Sequence, residues 1–174
     1  MTRPILILTH VAVYTSLCVL LWPGSGAWTL PVIGAVLIWI SLHDLEHMEI
    51  PDSATAVLCV LALVELWRMP PMYRMEHVIA GLLWPLLFLG ASALFRLRHA
   101  RTGLGLGDVK LMLPLGLLCG IVGTVHVVLA ASVSAVITLG VLAWRAGTAP
   151  QGQAIPFGPF LCLAGWAIWL NLGG

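Results

Sequence analysis

Acidic side chains are scarce in this chain, and their placement is the first clue to any chemistry. There are seven in 174 residues. Asp44, Glu46, Glu49 and Asp52 fall together, and Glu65 and Glu76 stand singly. Asp108 is the sole acid beyond them, and it closes Gly105-Leu106-Gly107-Asp108. Two aspartates that meet can hydrolyse a peptide bond. One carboxylate takes a proton from water while the other, protonated, polarises the scissile carbonyl. Two like charges a few ångströms apart cannot both form easily, so such a pair shares one proton and titrates as a unit. Asp44 and Asp108 are the candidates. Gly105 and Gly107 add to this, because glycine permits φ > 0 or the close approach of a substrate backbone. The plainer account of Asp108 is the N-cap of a helix, its carboxylate accepting backbone N–H groups.

A second chemistry overlaps the first. His43-Asp44-Leu45-Glu46-His47 fits H-x-x-E-H, in which two histidines one helical turn apart hold zinc and the glutamate is the base. A third ligand would have to come from Glu76, His77, His99 or Asp108. A hydrated helix end explains both histidines without metal, and the reading favoured here needs neither a metal nor a cofactor. Cys18, Cys59, Cys119 and Cys162 lie far apart in apolar stretches with no C-x-x-C, which reads as buried structural thiols. A non-enzymatic alternative is a small membrane transporter or assembly subunit whose acids line an ion path. Against it, the acids fall at the ends of apolar stretches, only Glu65 lies inside one, and Gly-interrupted helix pairs are absent.

The elements that must position these residues are membrane helices. Of the chain, 60% is hydrophobic and 9% charged, with a mean hydropathy of +1.04. A soluble domain carries roughly 25% charged residues, so lipid is the natural solvent. A net charge of +1 argues against nucleic acid as a partner. The expected fold is an all-α, polytopic transmembrane bundle forming one domain over 1–174. Spans of about 20 residues are predicted over roughly 4–22, 28–43, 53–69, 77–97, 109–124, 126–146 and 155–172. That makes seven, with six as the fallback. Arg3 and the small residues Ser25-Gly26-Ala27 imitate a signal peptide, but the apolar run is too long for one, so residues 1–27 read as an extra helix and turn. Arg3, Arg96, Arg98, Arg101 and Arg145 then share one side, with Lys110 nearby, against Arg68 and Arg74 on the other. Positive charge marks the cytoplasmic side, so the N-terminus and the two acid-bearing loops, 44–52 and 98–108, are expected there. Trp22, Trp28 and Trp67 near span ends fit an aromatic belt.

Three stretches together resemble the type IV prepilin peptidase family. They are Asp44 with Ile50-Pro51-Asp52, then Gly105-Leu106-Gly107-Asp108-Val109-Lys110-Leu111, then Ile155-Pro156-Phe157-Gly158-Pro159-Phe160. The likeness covers about residues 30–172. It implies an intramembrane-type aspartyl endopeptidase of the inner membrane that cleaves the positive leader of prepilin or pseudopilin-like proteins at the cytoplasmic face. By the same likeness Asp44 and Asp108 are the catalytic pair, Gly105, Gly107 and Lys110 form the active-site loop, and Pro51, Pro156, Phe157, Gly158 and Pro159 support it. Lacking C-x-x-C, the chain resembles short members without the methylating domain. Its first loop is acidic, Leu45-Glu46-His47-Met48-Glu49, where the family's is often basic. Lys110 also reads as an interfacial snorkelling residue or a partner of Asp108. Pro156–Pro159 also reads as a helix start, where proline suits the first turn.

Overall fold

The structure, a computed structural model, describes residues 3–21, 28–99, 105–146 and 155–173. Among these there is no strand. The order is α1 Arg3–Leu21, α2 Thr29–His47, α3 Asp52–Arg68, α4 Pro71–His99, α5 Leu106–Ala146 and α6 Gly158–Asn171. Four of them (α1, α2, α4 and α5) are long and apolar enough to cross a membrane, while α6 is a shorter apolar helix. This is a multi-pass membrane protein. The imitation cleavage site at Ser25–Ala27 and the residue Trp22 lie outside the described residues.

Among the described residues there are six helices against the seven expected spans, and the difference sits in α5, which joins two helices across a kink. A boundary was expected between 124 and 126. The boundary lies instead at Gly120, whose φ of 69° and ψ of −174° belong to backbone that only glycine adopts readily. Two helical segments, 106–119 and 121–146, meet there. The first lies very close to α4. A Cβ on Gly116 would fall 2.7 Å from the Ala80 carbonyl oxygen, and one on Gly81 would fall 2.8 Å from Leu117. Small residues that let backbones approach are how membrane helices associate, since lipid gives them little hydrophobic drive.

The core is formed where α2, α3, α5 and α6 meet. Ile33, Leu37, Ile40, Leu58, Leu111, Met112, Leu115 and Leu161 are fully buried in it. Helix α1 is peripheral; Leu17, Cys18 and Leu21 pack on the core, and Tyr14 is its buried anchor. Its ring stacks on Trp166, its carbonyl accepts from Trp166 Nε1 at 3.0 Å, and its hydroxyl meets Ser41 Oγ at 3.4 Å. Of the cysteines, Cys119 and Cys162 are buried as expected, but Cys18 and Cys59 are only half-buried.

Two cavities lie at opposite ends of this core. One is bordered by the end of α2 and the start of α5, and it encloses about 540 Å³. The other, about 840 Å³, lies between the end of α3, the start of α4, the Gly120 break and the end of α6. Helix α6 starts beside the first and ends at the second. Its 14 residues set the separation at about 21 Å, at 1.5 Å per residue.

Candidate active site

The sequence places Asp44 in a loop, but α2 continues past it to His47, so Asp44 lies on the helix, in its last turns. Met48 ends that helix in the left-handed conformation (φ 57°) and donates its N–H to the Asp44 carbonyl at 2.9 Å. Proline disfavours helix at the residue before it, so Ile50-Pro51 crosses as a short extended link and α3 begins at Asp52. The link tucks Ile50 inward until it is 9% exposed.

Asp108 is not an N-cap. The first carbonyl accepted into α5 is that of Gly105, from Val109 N–H, and Leu106 opens the helix. Asp108 is therefore the third helical residue, and its carboxylate reaches back to the Gly105 N–H. This is one half of a capping box. Gly107 is helical, without positive φ. What requires glycine there is packing, because a Cβ would lie 3.0 Å from Ile50 Cβ. The close approach expected of a substrate backbone is made by the chain's own α2–α3 link. A Cβ on Gly105 would lie 3.3 Å from Asp108 Oδ2, so the carboxylate fills the space beside it.

The Pro156–Pro159 run starts a helix and also contributes to the site. Phe157 is the N-cap of α6, and Pro159 lies in its first turn. Gly158 donates its N–H to Asp44 Oδ2 at 3.0 Å. A Cβ on Gly158 would stand 2.7 Å from that oxygen and 3.2 Å from Ile50 Cδ1. Ile50 thus touches both glycines, Gly107 and Gly158, and joins three chain segments around the acids. The sequence shows Ile50 only as an apolar residue before a proline, and nothing local marks it as the joint.

Asp44 is 5% exposed and Asp108 half-buried. Both line the 540 Å³ cavity, and the charge of Asp44 acts on Asp108. His43 is the next charge-bearing neighbour of Asp44. Lys110 pairs with Asp52 at 2.7 Å, an exposed contact, at the border of the same cavity. Pro51 and Glu49 border the same cavity. Among the described residues the zinc arrangement does not assemble. The His43 and His47 rings stack face to face at 4.3 Å, and His47 Nδ1 bonds the His43 carbonyl. Among the described residues no three ligating side chains converge on a metal position.

With Asp44 and Asp108 in one cavity, comparison with known proteins becomes informative. The model of the type IV leader peptidase family matches residues 31–140. The chain belongs to the type IV leader peptidase family. Relatives within that family include the "Prepilin leader peptidase/N-methyltransferase" of Xanthomonas campestris pv. campestris, 32% identical over 85% of this chain and 50% of its own length. Another is the "Type 4 prepilin-like proteins leader peptide-processing enzyme" of Escherichia coli O78:H11, 33% identical over 85% of this chain and 54% of its own. The Burkholderia pseudomallei protein named as the first is 32% identical over 98% of this chain and 57% of its own. The chain spans about half the length of the curated relatives it matches. No solved structure matches it. The family match takes in Asp44 and Asp108, whereas Gly158 lies beyond its end.

Proposed function

We propose that this chain is an aspartic endopeptidase that removes the leader peptide of prepilin or pseudopilin-like proteins at the cytoplasmic face of the inner membrane. The observation that carries the reading is the meeting of Asp44 and Asp108, distant in sequence, in one cavity at one end of the bundle. One carboxylate accepts a proton from water as the water attacks the scissile carbonyl, and the other donates a proton to the carbonyl oxygen. Collapse of the tetrahedral intermediate then returns a proton to the leaving amine. The Gly158 N–H holds one Asp44 oxygen and leaves the other for water. Family membership supports the substrate class, which the relatives' names give as prepilin leaders. The arginine asymmetry supports the orientation, with the N-terminus and the dyad on the cytoplasmic side and the lipid bilayer around the bundle.

The test is cleavage of a co-expressed type IV prepilin by Asp44→Asn and Asp108→Asn chains. Each keeps the size of the side chain and loses the shared proton. Cleavage should fall at least about 10³-fold in both, as when a member of a catalytic unit is removed, with the protein still in the membrane. Normal processing by either variant removes that residue from the pair. Reporter fusions after Met48 and after Thr102 should both read cytoplasmic, and opposite readings would sink the common site.

A further inference from the structure

The far cavity borders a helix break whose exposed backbone groups are held by two adjacent residues of α4. At Gly120 the regular hydrogen bonding of α5 stops, which frees carbonyls of the first segment and N–H groups of the second. Glu76 Oε1 accepts the Ile121 N–H at 3.0 Å. His77 Nδ1 lies 2.9 Å from the Leu117 carbonyl oxygen. A carbonyl only accepts, so Nδ1 carries the proton and donates. The fit is close, since a Cβ on Gly120 would meet Glu76 Oε1 at 3.0 Å and His77 Nε2 at 3.1 Å. Just beyond, Ala80 and Gly81 clasp Gly116 and Leu117.

These contacts bear on the other end of the segment. Asp108 and Gly120 lie on the same rod, about 18 Å apart along its axis at 1.5 Å per residue. A helix is stiff along its axis, so its position at Gly120 sets its position at Asp108. Gly116 and Gly120 bring no side chain to α4, so the register rests on the hydrogen bonds of Glu76 and His77, on backbone contact at Gly116 and on the Leu117 side chain seated against Gly81. A slip of one residue would carry the Asp108 carboxylate about 1.5 Å relative to Asp44. A misplacement of about 1 Å in a reacting group costs on the order of 10²-fold in rate.

We propose that Glu76 and His77 are positioning residues for the dyad: by clamping the Gly120 break they set the axial register of the segment that carries Asp108. The inference rests on the reading of Asp108 as catalytic. Glu76→Gln keeps an acceptor for Ile121, and His77→Asn keeps a donor at the Nδ1 position. Glu76→Met and His77→Phe keep the bulk and lose the bond. With a prepilin substrate in nanodiscs, kcat should fall at least about tenfold in the Met and Phe chains, with KM within about twofold. The Gln and Asn chains should recover most of the rate, a rescue that a packing role would not produce. Glu76→Ala and His77→Ala serve if the Met or Phe chains are not recovered. Unchanged kcat in the bond-deleting chains, beside a dead Asp108→Asn control, overturns the proposal and leaves the dyad standing. Equal losses in the Gln and Met chains, or in the Asn and Phe chains, also overturn it. An active Asp108→Asn control overturns the catalytic reading itself.

Discussion

The two ends of the bundle use their cavity-lining acids in opposite ways, Glu65 and Glu76 at one end, Asp44 and Asp108 at the other. At the far end Glu65 pairs with Arg68 at 3.0 Å, and Arg68 also bonds Thr29. Glu76 closes a helix break. Both carboxylates there are bound into the packing. At the near end Asp44 and Asp108 receive a backbone N–H each, from Gly158 and Gly105, and they share a cavity with each other. The neighbouring cation, Lys110, is engaged by Asp52. A side-chain cation between two carboxylates would fix both as anions and end their ability to share a proton. Backbone donors orient a carboxylate while adding no full charge. The contrast separates an acid that holds a structure from an acid left able to transfer a proton.

Substitutions sharpen that contrast in descending order of effect. Gly158→Ala should be the most damaging after loss of an aspartate. Its methyl would occupy the place of Asp44 Oδ2, 2.7 Å away, and would push the carboxylate off its donor. Single-turnover cleavage should slow by about 10²-fold. A rate within threefold of the parent would show that this N–H does not orient the acid. Gly107→Ala should act more weakly and on both properties. Its methyl meets Ile50 at 3.0 Å, an overpacking that costs about 1–3 kcal/mol. A tenfold slower cleavage would accompany a lower melting temperature, and Gly107→Val should exceed it on both counts. Melting and cleavage both unchanged would mean that the Gly107–Ile50 contact yields freely. Glu65→Gln should mark the small end of the scale. It leaves cleavage within twofold and lowers stability by no more than about 1 kcal/mol, since Arg68 is half exposed and such pairs contribute little. A large loss of cleavage there would erase the division between the two ends.

Much of the near end is legible in the sequence because its signals are local. Scarce acids, glycines before Asp108 and a Pro-Phe-Gly-Pro run are rare enough in an apolar chain to stand out. What they do to one another is less legible. The glycine before Asp108 suggests free backbone, yet the structure spends it on contact with Ile50, a partner from another loop. The start of α5 was misplaced by the same glycines, which read as loop although Gly107 is helical. The break in α5 was harder still. The segment is apolar throughout, and Gly116, Gly120 and Gly123 offer equal local permission. Glu76 and His77 select Gly120 from across the interface with α4, and no periodicity along α5 records them. Tertiary partners decide what local propensity leaves open.

The bond between Gly158 and Asp44 joins residues 114 positions apart. A ribosome adding about 5–20 residues per second makes the carboxylate many seconds before its donor. For the last 50 residues of that interval the nascent chain carries both aspartates without the group that orients one of them. The order of synthesis therefore delays completion of the proposed site until α6 has joined the bundle.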